Sequence, residues 1–276
     1  MGGYRELVKL CRFDENRVGI VRGDLVFDIT RHAGGKLLPS VPSGLAKLPC
    51  KPLHSVRLLS PVRSPGKILA APVNYKAHIA EMQKSNVSPG HNIWDIEKAG
   101  LFLKASSSLV GPSQGIAQRF IDRRTDFEVE LVAVIGRETS MVAKKDALKY
   151  VAGYCMGLDI TVRGSEDRSF RKSIDSYTVL GPWLTSADEV PDPQKLRLSV
   201  RQNGELRQDT STSDMLWDVA RLIEFATSFY TLHPGDALFT GTPAGVGPIR
   251  PGDVLVASSD VLGSMEVKVR EYRPAP

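Results

Sequence analysis

The chain has 276 residues, 42% of them hydrophobic and 24% charged, a balance ordinary for a globular protein with one large core and a smaller appendage. Its 36 basic and 31 acidic residues leave a net charge of +5, spread along the sequence without the clustered Lys/Arg and interleaved aromatics of a nucleic-acid-binding surface. No run of about 18 apolar residues suits a membrane span, and the three cysteines, Cys11, Cys50 and Cys155, have neither metal-site spacing nor the even count of a disulfide framework.

A reducing cytoplasm is the compartment this predicts. The N-terminal "MGGYRELVKLCRFDENR" carries scattered charge where a signal peptide has an apolar stretch, and Glu6 stands where a myristoylation signal needs Ser or Thr. Residues 1 to about 60 read as short β segments, "YRELVKLCRF" and then "RVGIVRGDLVFDIT", a hairpin turning at Gly23-Asp24. The Pro- and Gly-rich stretch from "LLPSVPSGLAKLP" to "SPVRSPGK" divides a small N-terminal β domain, 1–62, from a main domain, 63–276. "KILAAPVNY" is a short buried strand, "KAHIAEMQKS" a helix stopped by "NVSPGHN", and "KAGLFLKASSSLVGP" a strand followed by a turn.

The next strand, "RTDFEVELVAVIG", alternates Asp126, Glu128 and Glu130 with Phe127, Val129 and Leu131. "KKDALKYVAGYCMGLDIT" is a helix through Tyr150 and then an apolar strand ending at Asp159. "RLSVRQNGELRQDTST" is a hairpin closed at Asn203-Gly204. "SDMLWDVARLIEFATSFY" is an amphipathic helix with Ser213 or Asp214 as its N-cap and an apolar face of Leu216, Val219, Leu222, Ile223 and Ala226. Two "PGD" turns, at 234–236 and 251–253, each lead into a strand. Strands outnumber helices and do not alternate regularly with them, so the fold class is α+β and β-rich.

Three carboxylates on one strand face need either open water or a positive partner. Glu128 and Glu130 lie roughly 7 Å apart at Cα by strand rise, and two buried like charges at that distance need a cation between them. The E-x-E spacing alone fits a solvated face or a hard divalent ion. The flanking "LVAVIG" lacks the polar alternation of a solvated strand. Asp159 closes an apolar run in which an isolated carboxylate is costly, so it is either a strand-end cap or a third oxygen ligand.

His78 and Glu81 are three apart on one side of a helical turn, where the carboxylate can orient the imidazole as a water-activating base, or where the pair is incidental. Lys172 has Arg168, Arg171 and Asp175 as neighbours. Such a cluster holds an anion or stabilises an enolate, or is simply a solvated basic loop. "TGTPAGVG" lacks the Lys-Ser/Thr ending of a phosphate-binding loop, and its small residues either bring backbone N–H groups to a carboxylate or form a tight turn.

In order, "NYKAHIAEM", "LFLKASSSLVGP", "DFEVELVAVIG", "YVAGYCMGLDIT", "KSIDSYTVLGPWL", "VRQNGELRQ", "LHPGDALFTGTPAGVG" and "PGDVL" closely resemble the fumarylacetoacetate hydrolase family over about residues 66 to 270. The resemblance implies a mixed β-sandwich roll behind a small N-terminal domain, assembled as a homodimer. It implies a divalent ion, Mg²⁺ with Mn²⁺ or Ca²⁺ as alternatives, on Glu128, Glu130 and Asp159. It places the water-activating pair on His78 and Glu81, the enolate-stabilising lysine on Lys172, and substrate contacts on Tyr75, Lys104, Arg163 and Thr242. The implied reaction is hydrolysis of the C–C bond of a small anionic β-diketo acid of the acylpyruvate or fumarylpyruvate type, as in aromatic-compound catabolism. Oxaloacetate-type decarboxylation, or isomerase or hydratase chemistry, is the alternative within the family, and an inactive binding protein the alternative outside it.

Two departures surround the expected substrate tail. The family's Arg-Asp-x-x-Gln run is here "RGSE", with Gly164 for the Asp and Glu166 for the Gln. The segment "QKSNVSPGHNIWDIEKAG" is longer than in small members and is expected to contribute to a lid.

Overall fold

The computed structural model describes residues 8–85 and 94–274. Residues 86–93, in the middle of the segment expected as a lid, therefore lie outside the described residues. Its far end is the single helical turn Ile96–Ala99, whose N-cap Asp95 accepts from the amide of Glu97 at 2.8 Å.

The strand Val129–Ile135 is buried along its whole length and occupies the middle of a large mixed sheet. It runs antiparallel between Val151–Asp159, with Val129 opposite Leu158, and Ala237–Phe239. A strand covered on both faces needs a nearly continuous apolar sequence, which "VELVAVI" supplies except at Glu130. Beyond Ala237–Phe239 the sheet continues through Ile68–Ala70, which is parallel to it, to the edge strand Phe102–Lys104. On the other side it passes through Thr178–Ser186 to Lys9–Phe13, where Lys9 faces Thr185, and on through the N-terminal hairpin. The residues before 62 thus extend the main sheet while packing a small cluster of their own around Cys11, Phe13, Val21, Val26 and Val56, against Trp183.

A second sheet of five strands contains the Arg197–Gln202 and Glu205–Ser211 hairpin and the Val254–Ser259 and Gly263–Glu271 pair. Asn203 and Gly204 both have positive φ, 52° and 87°, the geometry a tight two-residue hairpin turn demands. The two "PGD" turns share one construction. Asp236 accepts from the amide of His233 at 2.9 Å and Asp253 from that of Arg250 at 2.8 Å, and each releases the chain into a strand. The observed fold is mixed and β-rich, as expected.

Two local expectations are corrected. The "RTDFEVELVAVIG" run is not one strand. It breaks at Glu128, so that Thr125–Phe127 joins a separate three-stranded sheet while Val129–Ile135 enters the main one. The amphipathic helix is Val219–Phe229, capped by Asp218, whose side chain accepts from the amide of Arg221 at 2.7 Å. Residues 212–214 form only a short 3-10 turn, and Leu216 lies outside the helix. Val219, Leu222, Ile223 and Ala226 form its buried face, each larger side chain contributing about 1.5–3 kcal/mol.

Candidate metal centre and acid–base pair

Glu128, Glu130 and Asp159 come together in the core, their carboxylate oxygens within 4.8 Å of one another. The convergence follows from strand register. Glu130 lies opposite Gly157, and the amide of Asp159 donates to the carbonyl of Glu128 at 2.9 Å, so the break at Glu128 and the end of Val151–Asp159 meet. All three are buried.

Cations stand against this acidic row. Lys172 Nζ, from the short helix Arg168–Lys172, donates to Glu128 Oε2 at 2.7 Å and Asp159 Oδ2 at 2.5 Å. Lys104 Nζ donates to Asp159 Oδ1 and, at 3.0 Å, to the carbonyl of Tyr177. Arg163 bridges Glu128 Oε1 through Nη2 and Asp126 Oδ2 through Nε, both at 2.8 Å. Burial opposes ionisation of Glu128, but Lys172 and Arg163 outweigh it and hold the carboxyl well below the usual range. Burial pulls Lys104 down, with the charge of Asp159 acting against that shift.

Glu130 differs. Its one hydrogen bond is from the amide of Gly241 at 2.6 Å, and no cation bonds to it among the described residues. Burial, then the adjacent charges of Asp159 and Glu128, push its carboxyl well above the usual range. A buried carboxylate held only by an amide and flanked by two others is an acceptor for a further positive charge. With three oxygen donors in a row, the chemistry suits a hard divalent cation.

Asp126, the third acid of the alternating run, does not join them. It is fully buried, because Arg124 (Nε to Oδ1, 2.9 Å) and Arg163 neutralise it from two sides.

His78, buried on the helix Lys76–Ser85, faces Glu81 through Nδ1 at 3.2 Å and lies within electrostatic range of Glu128, beside the acidic centre. Glu81 Oε1 accepts from the amide of Gly245 at 3.0 Å. The small-residue run does bring backbone N–H groups to carboxylates, and both carboxylates are the protein's own. Gly241 has a φ of +94°, and a Cβ there would lie 2.7 Å from Asn74 Cβ, so only glycine fits.

Among the expected substrate contacts, Tyr75 is buried with its hydroxyl unpartnered, and burial followed by the charge of Glu130 pushes the phenol up. The Thr242 hydroxyl donates to the carbonyl of Val129 at 2.9 Å and accepts from Gln208 Nε2 at 2.9 Å, tying its loop to the central strand. Glu166, standing where the family has Gln, pairs with Arg123 at 2.9 Å.

Two positioning residues escape sequence reasoning. Asn74 donates to the carbonyls of Trp217 (2.9 Å) and Thr240 (2.8 Å) and accepts from the Trp217 amide (2.8 Å). Gln208 bonds the amide of Val129 at 2.9 Å and the carbonyl of Pro243 at 3.0 Å. A polar residue after the apolar "KILAAPV" run was the signal available for Asn74; none marks Gln208.

Residues 67–270 match the family described as Fumarylacetoacetate (FAA) hydrolase C-terminal. The chain is 47% identical, over 95% of its length and 99% of the relative's, to a maleylpyruvate hydrolase from Aquipseudomonas alcaligenes. It superposes with a TM-score of 0.83 and 35% identity on the crystal structure of maleylpyruvate hydrolase from Sphingobium sp. SYK-6 in complex with manganese(II) ion and pyruvate, covering 96% of this chain and 100% of that one. A fumarylacetoacetate hydrolase from Exiguobacterium antarcticum superposes with a TM-score of 0.80 at 30% identity, covering 96% of this chain and 100% of that one.

Proposed function

Because the chain belongs to the fumarylacetoacetate hydrolase family, we propose that it is a metal-dependent hydrolase that cleaves the C–C bond of an acylpyruvate-type β-diketo acid. The observation that carries this reading is the buried Glu128–Glu130–Asp159 set with the His78–Glu81 pair beside it. The manganese and pyruvate held by the Sphingobium relative support the same reading.

Glu128, Glu130 and Asp159 would hold the ion, Mg²⁺ or Mn²⁺ with Ca²⁺ as the larger alternative. When bound, such an ion supplies Lewis-acid chemistry, polarising substrate oxygens and offsetting charge that develops on them. Lys104, Lys172, Arg163 and Arg124 already match the carboxylates of Glu128, Asp159 and Asp126. A divalent ion therefore adds positive charge that an anionic 2-oxo acid would balance.

Glu81 accepts from Nδ1–H of His78, which leaves Nε2 free to take a proton from water. That water attacks the carbonyl distal to the 2-oxo acid. The bond between that carbon and the pyruvate methylene breaks, and the electron pair stays as a pyruvate enolate. The ammonium of Lys172 stands where it can stabilise the enolate, and the methylene then takes a proton to give pyruvate. Lys104, Arg163, Thr242 and Tyr75 are the proposed substrate contacts, and the Tyr75 hydroxyl has no hydrogen-bond partner among the described residues. The assembly proposed is a homodimer, which light scattering tests. The compartment proposed is cytoplasmic and supplies acylpyruvates from aromatic catabolism. No described helix is long and apolar enough to cross a membrane.

The test is a panel of acylpyruvates, fumarylpyruvate, oxaloacetate and 2-oxohept-3-enedioate, followed by ultraviolet loss of the enol. Acylpyruvate cleavage that EDTA abolishes and Mg²⁺ or Mn²⁺ restores is the expected result. Turnover undiminished by exhaustive chelation overturns the metal role, and no acylpyruvate turnover overturns the hydrolase reading.

A further inference from the structure

The site described so far accounts for the 2-oxo acid end of a substrate and leaves its acyl tail unread. The quarter of the molecule around the helix Arg168–Lys172 is rich in cations, and nearly all are committed. Arg163 and Lys172 hold the acidic centre. Arg171 donates to the carbonyls of Glu166 (3.0 Å) and Val162 (3.3 Å). Arg123 is paired with Glu166, and Arg119 with Asp175 at 2.5 Å.

Arg168 is the exception. It is half-buried, and no hydrogen bond or ion pair engages its guanidinium among the described residues. Four residues before Lys172 on the same helix, it shares a face with the lysine that reaches Glu128 and Asp159. The two lie about 6 Å apart along the axis at 1.5 Å per residue. Burial lowers its pKa, and the charges of adjacent Asp167 and then of Glu128 act in the opposite sense, so the guanidinium lies within electrostatic reach of the centre.

We propose that Arg168 binds a carboxylate at the end of the substrate's acyl tail, so that the chain selects acylpyruvates with an acidic tail over those with a neutral one. The inference rests on the acylpyruvate hydrolase reading and adds the chemistry of the tail to it. A three- or four-carbon tail spans about the distance from Lys172 to Arg168, at about 1.5 Å per C–C bond. Arg presents the planar fork that a carboxylate accepts in two hydrogen bonds.

The experiment compares fumarylpyruvate, whose tail ends in a carboxylate, with 2,4-dioxopentanoate, whose tail is a methyl group, using metal-loaded wild type, Arg168→Gln and Arg168→Lys. Wild type is expected to favour fumarylpyruvate in kcat/KM by at least tenfold. Arg168→Gln is expected to reduce that preference at least tenfold, mainly through KM, and Arg168→Lys to retain part of it. Equal kcat/KM for the two substrates in wild type overturns the proposal without any variant, as does an unaltered ratio in folded Arg168→Gln. Cleavage of neither substrate by wild type overturns the hydrolase reading itself, a result distinct from loss of the preference alone.

Discussion

Asp126 and Glu130 lie four residues apart on one stretch of chain and are equally removed from solvent, yet their surroundings are opposite. Asp126 is neutralised from two sides by Arg124 and Arg163. Glu130 has one backbone amide and two carboxylate neighbours. Burial alone therefore does not tell the two apart; the bonded counter-charge does. Asp126 is matched within the fold, whereas Glu130 is the member of the proposed ligand set with no cation bonded to it among the described residues.

The largest effect that can break this contrast is at Glu130. Glu130→Gln is expected to lower Mn²⁺ affinity and turnover about a thousandfold, since a Lewis-acid role is worth several kcal/mol. The melting temperature of the chelated protein should hold or rise, because the amide replaces a carboxyl whose charged form is disfavoured by burial and by its acidic neighbours. Metal titration of a variant that binds as wild type would sink the ligand assignment.

At Asp126 the outcome should reverse. Asp126→Asn leaves buried Arg163 short of a partner and is expected to cost about 3–5 kcal/mol in denaturant unfolding, to the same extent with and without EDTA. A loss seen only in the metal-loaded protein would make Asp126 part of the ion site.

A third measurement uses pH. The pKa of Glu130 is raised, so in the metal-free protein its contribution is complete below the ordinary carboxylate pKa and fades as pH climbs through the raised value. The pKa of Glu128 is depressed, so its contribution is present above the ordinary value and fades as pH falls through the depressed one. A divalent ion displaces the proton on Glu130, so the stabilisation that Mn²⁺ adds to the melting temperature should grow from acid to neutral pH. A gap independent of pH contradicts the raised Glu130. The smallest effect is at Arg124, which is 41% exposed as a side chain. Arg124→Ala is expected to cost about 0–1 kcal/mol in the same unfolding assay.

The candidate site residues stood out in the sequence, but each pattern alone left a structural alternative open, and the family resemblance joined them into one set. Glu130 and Asp159 are carboxylates in apolar strands, Glu128 stands at the break between two strands, and His78 and Glu81 share a helical face. The class of fold, the Asn203-Gly204 turn and the buried face of Val219–Phe229 followed from periodicity and turn chemistry. The interruption at Glu128 did not, because alternation continues unbroken through "TDFEVEL" and only pairing with two different sheets divides it. The helix cap at Asp218 was hidden by an equally good signal at Ser213 and Asp214. The pairing of Lys104 with Asp159, 55 residues apart, and the role of Gln208 depend on tertiary neighbours that no local pattern encodes.

The loop from Thr240 to Gly245 donates one amide to Glu130 and another to Glu81, and Thr242 anchors it to the carbonyl of Val129. It therefore works as a spacer of set length between the half of the site that would grip the substrate and the half that would prepare water. Glu81, mounted on a helix, and Glu130, on the central sheet, are thus tied to the same short loop.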